Sequence, residues 1–135
     1  MNKVIISFLT TFLTFSLISQ ANSDEVKIGV ILGFTGPIES LTPTMASSAE
    51  LAMKEVSDSG LLLDGANVKS VRADSTCVDA GAAVSAAERL VTSDNVAAIM
   101  GADCSGVTTA IANNVAVPNG VTIISPSATS PALTD

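Results

Sequence analysis

Apolar positions in this chain follow two periods that alternate along its length. Val26–Leu32 (Val-Lys-Ile-Gly-Val-Ile-Leu) is almost continuously apolar and β-branched, and Gly33, Gly36 and Pro37 close it. A run this short, bounded by turn residues, predicts a strand buried on both faces. After a loop over Ile38–Thr44, Met45, Ala49, Ala52, Met53 and Val56 recur at helical spacing. Glu50, Lys54, Glu55 and Asp58 take the polar side, and Gly60 stands where a C-terminal cap belongs. Asn67–Asp74 alternates less cleanly and reads as a strand nearer a sheet edge. Asp79 or Ser75 opens a second helix whose face is Ala80, Ala83, Val84, Ala87, Leu90 and Val91. Asn95–Gly101 carries the apolar strand Val-Ala-Ala-Ile-Met. Val107, Ala110, Ile111 and Val115 form a third helical face, ended by Pro118-Asn119-Gly120, and Val121–Ser125 is a fourth strand.

The order β-α-β-α-β-α-β defines the fold class as α/β, with a doubly wound parallel sheet. Right-handed crossovers, with the most apolar strands central, give the spatial order 2-1-3-4. The helices after the first and third strands then lie on opposite faces, so their exit loops part and leave a crevice, the usual ligand position in open α/β sheets. Gly33–Pro37 and Asp103–Gly106 line that crevice, with Pro126–Ser130 beside it.

Composition changes the picture at the N-terminus. Lys3 precedes the apolar run Val4–Ile18, and Ser19-Gln20-Ala21 and Ala21-Asn22-Ser23 offer small-residue cleavage patterns. Residues 1–23 therefore read as a secretory signal peptide, which makes the mature chain 24–135 an exported, periplasmic one. Phe34 is then its only aromatic residue. The balance becomes five basic residues (six minus Lys3) against thirteen acidic, a net charge of −8. Such an acidic chain is not expected to bind nucleic acid or an anionic membrane. Two cysteines in an oxidising compartment predict a Cys77–Cys104 disulfide. At the other end, Ser130–Asp135 looks like the approach to a helix that does not follow, so the pattern predicts an N-terminal fragment of a longer protein.

Candidate chemistry lies in the exit loops. Thr35, Ser105, Ser125, Ser127, Thr129 and Ser130 are small hydroxyl residues placed before helix starts, a set suited to a carboxylate bound without any basic side chain. With no histidine there is no Ser-His-Asp relay, and no Gly-x-Ser-x-Gly elbow, dinucleotide fingerprint or phosphate loop occurs. No enzymatic activity, cofactor or metal is expected. Asp74, Asp79 and Asp103 read as helix caps and dipole partners.

Phe34-Thr35-Gly36-Pro37 after the first strand, a Cys after the second, Cys104-Ser105 after the third and Ile124-Ser125-Pro126-Ser127-Ala128-Thr129-Ser130-Pro131 after the fourth carry a resemblance. In that order they resemble the leucine/isoleucine/valine-binding proteins of bacterial ABC importers. The resemblance implies a two-lobed type I periplasmic binding protein, with 24–135 as part of its first lobe. It also implies a small amino-acid ligand, a monomeric protein and a membrane permease as partner. By the same resemblance Ser105 helps hold the ligand carboxylate, and Ser127, Ala128 and Thr129 contact carboxylate and ammonium. Leu41 stands where relatives often carry an aromatic wall residue, and with Phe34 it is the expected apolar contribution to the pocket. A ligand-sensing receptor domain of the same fold, or an exported doubly wound enzyme, are the alternatives.

Overall fold

The computed structural model describes residues 24–134; the expected signal peptide lies outside them. Four strands, β1 (Glu25–Leu32), β2 (Asn67–Asp74), β3 (Ala98–Gly101) and β4 (Thr122–Ile124), form one sheet in the order β2-β1-β3-β4. All neighbours are parallel, with Gly29 opposite both Val71 and Ile99. The expected topology is therefore observed.

Because side chains alternate across a strand, β1 supplies two cores. Val30 and Leu32 pack with Ala46, Met45, Met53 and Phe34 on the side of α1 (Thr42–Ser59). Ile31 points the other way, into a larger cluster with Ala83, Ala87 and Leu90 of α2 (Ala80–Thr92) and Val107 and Ile111 of α3 (Ser105–Ile111). The small residues Ala83 and Ala87, both fully buried, let α2 lie close to the sheet. Asp79 caps α2 as expected, its carboxylate accepting the Ala82 N–H at 3.0 Å.

Several boundaries differ from the sequence expectation, each for a local reason. Helix α1 begins at Thr42, inside the expected loop, because Pro43 is well placed in a first helical turn. Its inward face is Thr42, Met45, Ala46, Ala49 and Met53, while Ala52 and Val56 are exposed. The apolar count misplaced that face because Thr42, Glu50 and Ser57, all polar, also turn inward. The Ser57 hydroxyl accepts the Val68 N–H at 2.8 Å, and Glu50 accepts the Ser70 hydroxyl at 2.9 Å. Strand β3 is shorter than Asn95–Gly101. The third helix ends at Pro118-Asn119-Gly120 as expected, but it is not one regular helix. It runs on through a π-helical turn, Ala112–Ala116, into α4 (Val117–Asn119) before Gly120 terminates it with left-handed φ. The wider turn accommodates a proline that has no N–H to give, and, one residue on, the Asn119 side chain donates to the Val115 carbonyl at 2.7 Å.

The edge strand β2 is tied down from both faces. Residues alternate in bonding inward to β1, which leaves Val68 and Arg72 turned outward. Ser57 covers the Val68 N–H, and the Arg89 guanidinium donates to the Arg72 carbonyl at 3.2 Å. The Arg72 fork meets both Glu50 oxygens at 2.7 Å and stands 5.5 Å above the Phe34 ring. Such cover disfavours pairing with a foreign strand.

Candidate crevice at the strand exits

The carboxyl ends of the strands converge on Asp103, which is 4% exposed. β1 and β3 stop pairing after Ile31 and Gly101, and the Gly33 N–H would then lack a partner. The Asp103 carboxylate takes its place, accepting from Gly33 N–H at 2.8 Å through Oδ2 and from Cys104 N–H at 3.0 Å through Oδ1. The buried Ser75 hydroxyl, in the loop after β2, donates to the same Oδ1 at 3.4 Å. The Asp103 carbonyl accepts the Ser127 hydroxyl at 2.8 Å, so one residue touches all four exit loops. This corrects the reading of Asp103 as a helix cap: α3 is preceded by Cys104, and no side chain caps it.

Asp74 is also no helix cap. Its carboxylate accepts the Thr35 hydroxyl at 2.6 Å, the Thr35 N–H at 3.3 Å and the Thr76 N–H at 2.8 Å, stapling the β1 loop to the β2 loop. The staple brings the chains so close that a Cβ on Gly36, where φ is +96°, would lie 2.5 Å from the Thr76 carbonyl oxygen. Burial pushes the Asp74 carboxyl up. The Thr35 hydroxyl and the Thr76, Thr35 and Phe34 N–H groups outweigh it and leave the group below the ordinary aspartate range. A depressed folded-state pKa stabilises above the unfolded value, and that contribution is lost as pH falls through the folded one. The denaturation midpoint of Asp74→Asn is thus expected to lie below wild type at neutral pH, with the gap closing below about pH 4. Urea titrations of both proteins at pH 7 and pH 3 check this; a gap that stayed constant would assign the staple no ionic part.

Ser105 opens α3 and faces the loop after β4. Its oxygen accepts the Thr129 N–H at 3.0 Å and the Ser130 N–H at 3.2 Å. Ser125 Oγ donates to the Ala102 carbonyl and accepts the Ala128 N–H at 2.8 Å and the Ser127 N–H at 3.3 Å. The structure therefore gathers Ser105, Ser127, Ala128 and Thr129 into one wall, with the N–H groups of 127–130 all turned onto serine oxygens. What this wall still presents outward is hydroxyl chemistry. A serine with both lone pairs occupied keeps its O–H to donate. Among the described residues, the Thr129 hydroxyl has no partner either. Cys77 and Cys104 form the expected disulfide, with Cα atoms 5.2 Å apart, joining the β2 and β3 exits beside this wall.

The two apolar candidates sit on the far side. Leu41 immediately precedes α1 and is 59% exposed at the rim. Phe34 packs on the α1 side of the sheet beneath Arg72, apart from the serine wall. A groove of about 450 Å³ between α1 and β2, lined by Met53, Lys54, Ser57, Val68 and Lys69, runs along the first half of β2. That is the opposite end of the sheet from the exit loops, and it brings no cluster of unsatisfied polar groups together. Among the described residues there is no group of side chains able to hold a metal ion, and no helix is long and apolar enough to cross a membrane. Sequence reasoning missed Asp103, Asp74, Ser75 and Thr42 as parts of this framework. Only Asp74 carried a local signal, an Asp two residues before the Thr76 N–H it accepts.

The chain belongs to the periplasmic binding protein family, whose model matches residues 25–135. Over 98% of its length it is 32% identical to the Leu/Ile/Val-binding protein BraC3 of Rhizobium johnstonii. It is 28% identical over 95% of its length to the Leu/Ile/Val/Thr-binding protein of Salmonella typhimurium. Among solved structures, the isoleucine complex of the branched-chain amino acid transporter substrate-binding protein LivJ from Streptococcus pneumoniae superposes with a TM-score of 0.74 at 33% identity. That match covers 82% of this chain and 31% of the LivJ chain. The chain spans about a third (34%) of the length of the two curated relatives.

Proposed function

We propose that the protein carrying this chain is an extracytoplasmic solute-binding protein that captures a branched-chain amino acid, or a similar small amino acid or amide, for a membrane ABC importer. The observation that carries the reading is the Ser105 hydroxyl. With its lone pairs taken by the Thr129 and Ser130 N–H groups, it offers a donor and no acceptor, the polarity a carboxylate requires. The named specificity of the relatives supports a branched-chain side chain, and Leu41 is the apolar group at hand for it. The acidic surface and the basic-apolar leader over 1–23 support a freely diffusing periplasmic protein. Binding alone needs no nucleophile or proton relay, and the absence of histidine from the sequence fits that.

Hydrogen bonds to a charged group contribute about 1.5–3 kcal/mol, so Ser105→Ala is expected to weaken leucine binding by roughly ten- to a hundredfold. Leucinamide, which lacks the carboxylate, should bind weakly to both proteins. Titration calorimetry on the full-length protein decides it. Equal leucine affinity of wild type and Ser105→Ala, or tight binding to sugars alone, would refute the assignment.

A further inference from the structure

We infer that Asp103 is the positioning residue that sets side-chain selectivity, by fixing the distance between the Ser105 carboxylate end and the Leu41 rim; this rests on the function proposed above. The two ends follow different strands, β3 and β1, and those strands no longer pair where the crevice opens. What spans the gap is a chain of three links. Asp103 Oδ2 accepts the Gly33 N–H at 2.8 Å, the Gly33 carbonyl accepts the Thr42 hydroxyl at 3.1 Å, and Thr42 directly follows Leu41 at the start of α1. On the other side, Asp103 Oδ1 takes the Cys104 N–H at 3.0 Å, and Ser105 is the next residue. Asp103 and Thr42 are 4% and 0% exposed, so neither side chain is free to touch a ligand and both act through the groups they hold.

The two carboxylate oxygens serve different arms. Oδ1 has two donors, Cys104 N–H and the Ser75 hydroxyl, whereas Oδ2 has only Gly33 N–H. In Asp103→Asn the amide oxygen belongs on the two-donor side, which turns the NH2 against the Gly33 N–H. The arm to Leu41 is released while the arm to Ser105 stays. A ligand whose side chain reaches the rim should feel this change, and one that stops short of it should not.

The test compares leucine and alanine by titration calorimetry on the full-length protein. Ser105→Ala should weaken both ligands alike, because both carry the carboxylate. Asp103→Asn should weaken leucine about tenfold and alanine by less than twofold, so the leucine-to-alanine preference falls. Should Asp103→Asn fold poorly, Thr42→Val, nearly the same shape but without the hydroxyl link to Gly33, should show the same selective loss. Equal weakening of both ligands by either variant would mean a general loss of the folded lobe and would overturn the inference. So would an unchanged leucine-to-alanine ratio. If Ser105→Ala leaves both ligands unaffected, the carboxylate site itself is misplaced and the inference falls with it.

Discussion

Gly101→Ala is expected to reduce stability by several kcal/mol, enough to leave much of the protein unfolded at 37 °C. Gly101 ends β3 with φ at +131°, a region that L-residues rarely adopt, and it lies directly against β1. A Cβ there would sit 2.0 Å from the Ile31 carbonyl oxygen and 2.8 Å from Ile31 Cγ2. Ile31 cannot move aside, since it is fully buried and its strand is held on both edges by β2 and β3. Backbone strain of this kind costs about 1–3 kcal/mol and overpacking a similar amount, against a total stability of about 5–15 kcal/mol. Gly106→Ala is the control. It lies within α3, has ordinary φ, and nothing approaches its Cβ position within 4 Å. Urea midpoints should fall steeply for Gly101→Ala and hold or rise slightly for Gly106→Ala. Similar midpoints for the two would contradict the close approach described here.

The fold was legible wherever one period of apolar residues was enough. The parallel order followed from four apolar runs separated by helical patterns, and Asp79 and Gly60 stood where helix ends need them. Legibility failed where a polar side chain answers to a distant partner. Asp103 meets Gly33 across a sequence separation of 70 residues, and Thr35 meets Asp74 across 39. No spacing rule encodes such pairs, so both aspartates looked like helix caps. The same cause rotated α1: Ser57 and Glu50 face inward because the edge strand needs their oxygens, which a count of apolar positions treats as evidence for solvent. The hydroxyl wall was visible as composition, but the role of Ser105 in it came from resemblance to a family. The structure adds the direction of each donor.

Those directions explain how a lobe without a basic residue in its exit loops can present donors to an anion. The backbone N–H groups of 127–130 are spent on Ser125 and Ser105, and this fixes the serine lone pairs so that the Ser105 proton is left to point elsewhere. The carboxylates nearby already hold donors of their own. Asp103 and Asp74 each collect three donors from the chain itself, so their oxygens are engaged within the framework.

Removing the disulfide should separate stability from binding. The bridge closes a sequence separation of 27 residues, spanning α2 and β3, between the exits of β2 and β3. On the chain-entropy model such a closure stabilises by about 3.6 kcal/mol. It also restrains a turn that would be costly to order alone, because Thr76 and Cys77 both have positive φ, at 56° and 69°. The double variant Cys77→Ala, Cys104→Ala removes both sulfurs and leaves no stray thiol. Its urea midpoint should drop by roughly 1–3 M at the slopes usual for small proteins, and wild type under reductant should drop to match. Leucine affinity, measured at low temperature where the variant is folded, should change far less than in Ser105→Ala. The contacts that place Ser105 are hydrogen bonds from Thr129 and Ser130, and Asp103 keeps its own donors without the sulfurs. A midpoint shift below about half a molar would show that the loop is ordered without the bridge. An affinity loss as large as that of Ser105→Ala would show instead that the bridge holds the binding wall itself.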